Sequence, residues 1–278
     1  MSVLSGLGNL GLGGLENADV FGAEKQAAQK AAQAAKKEPT IDDFVFEKKY
    51  SCPVCYQEFS NPTMKGNKAK MVGQDSDLRP KYEPVDPIKY DVLACPNCGY
   101  AALSRYFDKI TPPQAGLIKK EISQSFHGLK HTLDLSYDDA IERYQLALAN
   151  AIVKRAHSSE KAYICLKLAW VVRAKMEALD INLADYDDQV AELKKDEMEL
   201  LKNALDGFLN ARQTESFPMC GMDETTVDYI ISVTAMKFEK YDVASKLIAG
   251  ILTDQKANPR IKDKARDLKD QILSQVKK

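Results

Sequence analysis

Two short stretches of the chain, Cys52-Pro53-Val54-Cys55 and Cys95-Pro96-Asn97-Cys98, share the pattern C-P-x-C. A two-residue spacer turns both thiolates of a pair toward one ion, and the amides of the turn donate to the sulfurs. Two such knuckles supply four thiolates, the closed tetrahedral set of a structural zinc site. Gly99 suits a knuckle that needs a positive φ just after its second ligand. The pairs are 39 residues apart, against about 15–20 in common zinc patterns. An inserted hairpin accounts for the excess, because closing a longer loop adds little entropy cost. The expected ligands are therefore Cys52, Cys55, Cys95 and Cys98, and the expected cofactor is structural Zn²⁺. The sequence does not separate zinc from iron in a rubredoxin-like site. A dithiol redox pair at Cys95 and Cys98 is a further alternative. Thioredoxin-type motifs use one C-x-x-C at a helix start, so two matched pairs favour a metal.

The compartment bears on that choice. The opening MSVLSGLGNLGLGGL lacks a basic n-region, and glycine interrupts its apolar run; this is not the pattern of a signal peptide. No stretch approaches the roughly 18 apolar residues that span a bilayer. The expectation is a cytoplasmic protein without a membrane partner, where thiols stay reduced and paired cysteines hold metal more often than they form disulfides. Net charge is −1, and residues 41–110 carry ten basic and ten acidic side chains. That balance argues against the broad positive field of a nucleic-acid binder. The alternative, a nucleic-acid-associated regulator, would use Lys65, Lys68 and Lys70 as a small basic fingertip.

Three parts follow one another along the chain. Residues 1–40 read as a flexible tail: six of the fourteen glycines lie in the first 22 residues, and an Ala/Gln/Lys-rich stretch follows to residue 38. Leu4, Leu7, Leu10, Leu12 and Leu15 make the tail a candidate docking motif. Its Gly6-Leu7-Gly8-Asn9-Leu10-Gly11 matches G-x-G-x-x-G, but only five residues precede it, too few to build the strand a dinucleotide site requires.

Residues 41–110 read as a zinc-ribbon-like module. Strands are expected at Val45–Tyr50, Lys68–Val72 and Tyr90–Ala94. Pro80, Pro84 and Pro87 break the connection into hairpins and loops. After Cys98 the chain turns apolar, and a helix is expected there. Asp75-Ser76-Asp77 is a candidate cation site, though such a run more often makes a turn or cap.

Residues 111–278 read as helical. Thr111-Pro112-Pro113 is a helix start. Ile118, Ile122, Phe126, Leu129 and Leu133 recur at three and four, which predicts one amphipathic helix through that stretch. His127 and His131 would then share a face, but H-G-L-K-H lacks the Glu of H-E-x-x-H and no third ligand is evident. His157 lies in a polar turn. Further helices are expected at 137–151, 162–179, 190–211, 226–238, 241–255 and 260–277. Cys165 reads as a small core residue. Cys220, in a loop, is a candidate reactive thiol, with no adjacent base to activate it. No nucleophile–base pair and no phosphate loop is present, so the chain reads as non-catalytic.

Tyr137-Asp138-Asp139-Ala140 and Tyr241-Asp242-Val243-Ala244 both place an aromatic, an Asp and a small Ala at a helix start, with the alanines 104 residues apart. That is close to three 34-residue periods and resembles the second helix of a tetratricopeptide repeat. The W-x-x-L-G-x-x-Y signature is absent before Tyr241. The fold class is thus mainly α: a tetratricopeptide-like helical domain with a small β-containing Cys₄ module. Repeat arrays present a concave face to a protein or peptide, and an adaptor or scaffold role follows by that analogy, with a homo-oligomer compatible with it.

CPVC at 52–55, DSDLRPKY at 75–82, YDVLACPNCGYAA at 90–102 and YDDAIERYQLAL at 137–148 together resemble the bacterial family called domain of unknown function 2225. The resemblance covers about residues 45–255 and leaves out the Gly/Leu tail. It implies a bacterial cytosolic protein with a metal knuckle and a repeat-like helical part, and it carries no activity.

Overall fold

The computed structural model describes residues 7–15, 19, 21–27 and 39–276. Met1–Asp43 and Phe44–Lys278 form two units. In the first, Leu7–Leu10 and Gly13–Leu15 are 3-10 turns and residues 22–27 are helical. The described part of the G-x-G-x-x-G run is thus a 3-10 turn. Leu10 and Leu12 are exposed. Leu4, Gly6 and the Ala/Lys stretch from residue 28 to 38 lie outside the described residues.

The second unit begins with three two-stranded antiparallel hairpins. β1 (Val45–Ser51) pairs with β2 (Glu58–Met64), β3 (Lys70–Gln74) with β4 (Pro80–Glu83), and β5 (Val92–Ala94) with β6 (Ala101–Leu103). The three expected strands are the outgoing arms of these hairpins. The sequence reading missed the returning arms. Pro62 lies in β2 and Pro80 opens β4. In a two-stranded ribbon every strand is an edge, so a missing N–H is tolerated. The helix expected after Cys98 is also corrected: Ala101–Leu103 is strand β6. Its alternation explains why. Val92, Ala94, Ala101 and Leu103 face one apolar cluster, while Leu93, Tyr100 and Ala102 face another. A ribbon buried on both faces reads as a continuous apolar run, which periodicity alone does not distinguish from a buried helix.

α1 (Pro112–Ile118) starts at the expected N-cap, where the Thr111 amide donates to Gln114 Oε1 at 3.0 Å. It runs on as a π turn, Lys119–Ser123, and stops. The helix expected to reach Leu133 is therefore corrected. Gly128 takes φ +98°, and the chain from Phe126 to Ser136 is irregular. Its apolar residues are spent on tethering instead: Leu135 is buried and Leu129 packs beneath the helices. His127 and His131 consequently share no helix face, and His131 Nε2 lies 3.2 Å from Glu47 Oε1.

Six helices follow: α2 (Tyr137–Val153), α3 (Ser158–Glu177), α4 (Tyr186–Thr214), α5 (Glu224–Lys237), α6 (Tyr241–Thr253) and α7 (Pro259–Val276). Each packs on the next. Local chemistry sets the starts. Ser136 Oγ accepts from the Asp139 amide at 3.0 Å, and Asp223 accepts from the Thr226 amide at 2.8 Å, each satisfying an amide that a helix start leaves unpaired. α3 is the central helix: Ile164, Leu166, Ala169 and Val171 are all fully buried. α7 turns Ile261, Ala265, Leu268 and Ile272 inward and charge outward, as an end helix should. The protein is thus mainly α, with small hairpins at its N-terminal side. No described helix is long and apolar enough to cross a membrane.

Candidate metal centre

The β1–β2 connection carries Cys52 and Cys55, and the β5–β6 connection carries Cys95 and Cys98. The two knuckles repeat each other bond for bond. Cys52 N donates to Gln57 O and Tyr56 N to Cys52 O; Cys95 N donates to Tyr100 O and Gly99 N to Cys95 O, all at 2.8–3.0 Å. The residue after the second cysteine is left-handed in both, Tyr56 at φ +64° and Gly99 at φ +72°. The sequence reading foresaw this only at Gly99. Tyr56 fills the same role without glycine, at an open position where the residue is 75 % exposed. At Gly99 there is no such freedom: a Cβ there would lie 2.7 Å from Phe126 Cγ.

The four Sγ atoms lie within 4.8 Å of one another. Cys52 and Cys98 are 3.6 Å apart, and Cys55 and Cys95 are 3.7 Å apart. A zinc–sulfur bond of about 2.3 Å puts the corners of a tetrahedron about 3.8 Å apart, whereas a disulfide requires about 2.05 Å. The spacing fits four thiolates around one ion and does not fit disulfides. Cys52, Cys95 and Cys98 are buried and Cys55 is half-buried. Val54 N points at Cys52 Sγ, 3.4 Å away, the amide-to-sulfur contact expected of a knuckle.

Four thiols this close do not all ionise unaided. Cys95 is held down to about 2 by donation from Cys52, then Cys98, with the amides of Asn97 and Cys98 adding to it. Cys52 is pushed up to about 12, chiefly by Cys95. Cys98 is pushed well up by Cys52 and Cys95. A divalent cation relieves that conflict and displaces protons on binding.

The site is supported from outside. Tyr50, Phe59, Tyr100 and Phe107 form an aromatic cluster beside the cysteines, with ring centroids 4.9–6.5 Å apart. Tyr100 OH donates to Phe107 O at 2.8 Å. Ser123 Oγ donates to Cys98 O and Asn150 Nδ2 to Gly99 O, both at 2.8 Å. The second knuckle is therefore held by the π turn and by α2. Asn61, fully buried on β2, accepts from Ala94 N at 3.4 Å and from Arg143 Nη1 at 3.0 Å, tying both ribbons to α2. The tethers from Asn61, Ser123 and Asn150 were not visible in the sequence, because their partners are 25 to 82 residues apart.

The inserted hairpin is β3–β4, as the long spacing suggested. Its tip is an anchor. Asp77 is buried and lies 2.6 Å from Arg173 Nη2, and Trp170 Nε1 donates to it at 3.1 Å. Asp75 lies 3.0 Å from Arg173 and 2.8 Å from Arg79. Arg173 also reaches Glu197 at 2.7 Å, and Arg79 pairs with Glu177. Tyr229 OH donates to Ser76 O at 2.9 Å. The Asp75-Ser76-Asp77 carboxylates are thus paired with arginines from the hairpin and α3. Leu78, at φ +70°, packs into the main helical core.

Lys68 is exposed in the β2–β3 turn, Lys70 is exposed at the start of β3, and Lys65 is half-buried. His157 occupies the N-cap of α3. Cys165 is a core residue whose burial pushes its thiol up to about 11. Cys220 is buried, its Sγ is 3.3 Å from Ser159 O, and burial raises its pKa. A thiol so placed is a poor nucleophile.

These features define a class first: a mainly α protein whose N-terminal ribbons bring four cysteines into one site able to hold a metal ion. The family model described as "Uncharacterized protein conserved in bacteria (DUF2225)" matches residues 45–272, and the chain belongs to that family. No curated protein and no solved structure matches the chain.

Proposed function

We propose that the chain is a non-catalytic protein–protein interaction protein of the bacterial cytosol, an adaptor or scaffold whose cysteine site holds structural Zn²⁺. The observation that carries the zinc reading is the 3.6–3.7 Å spacing of the sulfurs across the two knuckles. Four protein thiolates leave no coordination position for substrate, which is the design of a structural site. The ion would clamp two short ribbons that have little cooperative stability of their own.

The interaction reading rests on the helices. Tyr137 and Tyr241 each open a helix, and Ala140 and Ala244 are both fully buried. Small buried residues at matching positions support a tetratricopeptide-like close approach of neighbouring helices. Such arrays bind protein segments on one face.

Elemental analysis of the purified protein tests the first half. One zinc per chain, lost in both Cys52→Ser and Cys95→Ser, is expected. Iron, no metal, or metal retained in both variants would overturn it. Crosslinking in bacterial cells tests the second half. The expected result is a specific protein crosslinked to the α2–α7 surface. Crosslinks no different from those of an unrelated helical control would remove the adaptor reading.

A further inference from the structure

Helices α2, α3 and α4 enclose an open groove of about 500 Å³. Its two walls are of different kinds. On α2, Ile141, Leu148 and Ile152 fall on one stripe, and Ile152 is left 59 % exposed beyond the groove's end. On α4, Leu193 and Leu200 lie on the inner edge of the lining face, while Glu192, Asp196 and Glu199 stand exposed on its outer edge. Leu168 and Val172 of α3 form the floor. The lining holds four carboxylates and one lysine. That lysine, Lys175, is already paired with the fourth carboxylate, Asp138, at 2.6 Å. Among the described residues Glu192, Asp196 and Glu199 have no ion-pair partner. The chain as a whole is nearly neutral, and Lys195 and Lys202, three or four residues from Glu192 and Glu199 on α4, lie outside the lining, so the acid excess belongs to the groove face.

We infer that the groove docks a basic amphipathic helix of a partner protein, with aliphatic side chains on the floor and Lys or Arg facing Glu192, Asp196 and Glu199. This rests on the protein-interaction reading above and specifies its surface and the chemistry of its partner. The lining runs over ten residue steps on α2, from Asp138 to Leu148, and over 14 on α4, from Gln189 to Asn203. At about 1.5 Å per residue the longer wall is roughly 21 Å, or four helical turns. The three free carboxylates are spaced by four and then three residues. A partner helix with cations at the same spacing matches them turn for turn.

The test uses the full chain and a labelled synthetic peptide of about 14 residues, made of Leu, Ala and Lys, with Leu on one face and Lys beside it. Fluorescence anisotropy at low and high salt reads binding. Saturable binding that weakens with salt is expected. A peptide with Glu in place of Lys and a scrambled peptide of the same composition should both fail. The charge-reversed variant Glu192→Lys/Asp196→Lys/Glu199→Lys should bind the basic peptide at least about tenfold more weakly and gain affinity for the acidic one. Ile152→Ser should weaken binding severalfold. All these positions are exposed, so an unchanged melting temperature will show that the fold is intact. Equal binding of the three peptides, no binding at low salt, or full binding by the reversed variant would overturn the inference. A dimer that disperses in the reversed variant would overturn it too, assigning the groove to a second copy. If a cellular partner crosslinks elsewhere on the helices while the peptide ignores the groove, the groove fails and the adaptor reading stands.

Discussion

Arg173 is the hub of the charged clamp that fixes the inserted hairpin to the helices, and Arg173→Met is its sharpest perturbation. The guanidinium side chain is 12 % exposed; Asp77 and Glu197 beside it are 1 % and 8 % exposed. Methionine keeps most of the volume and removes the charge. Asp77 then retains Trp170 Nε1 and the Arg79 amide, and Asp75 retains Arg79 and Lys81. Glu197 is left with Lys237, 3.6 Å away. Removing one partner of a buried ion pair costs about 3–5 kcal/mol, because the remaining charge stays desolvated. The retained donors place this case near 3 kcal/mol, a large share of an ordinary domain's 5–15 kcal/mol. For a chain of this size that is a fall of roughly 6–12 °C in melting temperature. Urea unfolding of the purified protein measures it. The double variant Arg173→Met/Asp77→Asn should cost clearly less than the two single changes added together, since each removes the same interaction. Metal content should not change, because the hairpin supplies none of the four cysteines. A cost below about 1 kcal/mol, or strict additivity, would show that the clamp is a solvated surface network.

The two knuckles make a paired test. Gly99→Ala meets both a left-handed backbone and Phe126 at 2.7 Å, so a loss of about 2–4 kcal/mol by thermal unfolding is expected. Tyr56→Gly relieves the same backbone preference at an exposed site and should shift stability by less than about 1 kcal/mol. Asn150→Leu leaves the buried Gly99 carbonyl without its donor and should cost about 1–3 kcal/mol, with hydrogen exchange rising at the second knuckle. Metal should be released as pH falls, because protons compete for thiolates; zinc retention against pH, read with a chromogenic chelator, reports it. In the folded state Asp75 is destabilised by burial, but Arg173, Arg79 and Lys81 outweigh that and lower its pKa; Asp223 is lowered by the cap it makes to Thr226. Both groups contribute stability above the unfolded carboxylate value of about 3.9, and that contribution is lost as pH falls through the lower folded values. An acid limb below about pH 4 is the expected outcome in pH-dependent unfolding, and it should shrink in Asp75→Asn.

How far the sequence could be read follows from the range of the interactions. The gathering of the four cysteines was legible because each knuckle is a local device of six residues whose cysteine spacing and proline record its geometry. The helices α2 to α7 were legible because their apolar periodicity is also local. What was hidden depends on partners distant in the chain. β6 looks like the start of a helix until α2 covers one of its faces and the cysteine and aromatic cluster covers the other. The stretch after α1 has helical spacing, yet Gly128 and the tether at Leu135 take it elsewhere. Asp75-Ser76-Asp77 reads as a turn or a cation loop because Arg173 lies 98 residues from Asp75 and 96 from Asp77.

The clamp and the cysteine site also divide the labour of the hairpins. The sulfurs join β1–β2 to β5–β6, and the stretch between β2 and β5, residues 65–91, would otherwise hang from that junction as a loop. Asp75, Asp77 and Leu78 turn the loop into a third attachment to α3 and to the main helical core. Besides the Lys167–Asp91 pair and the Tyr144 hydrogen bond to Ile88 O, the ribbons reach the helices by two routes: Asn61, Ser123 and Asn150 at the knuckles, and the hairpin tip at Arg173. If both routes operate, metal loss in Cys52→Ser should unfold the β1–β2 and β5–β6 ribbons and leave the tip protected from proteolysis. Arg173→Met should do the reverse, exposing residues 66–84 to cleavage while the metal content of the cysteine site is unchanged. Loss of both protections in either variant would mean that the ribbons and the helices unfold as one cooperative block.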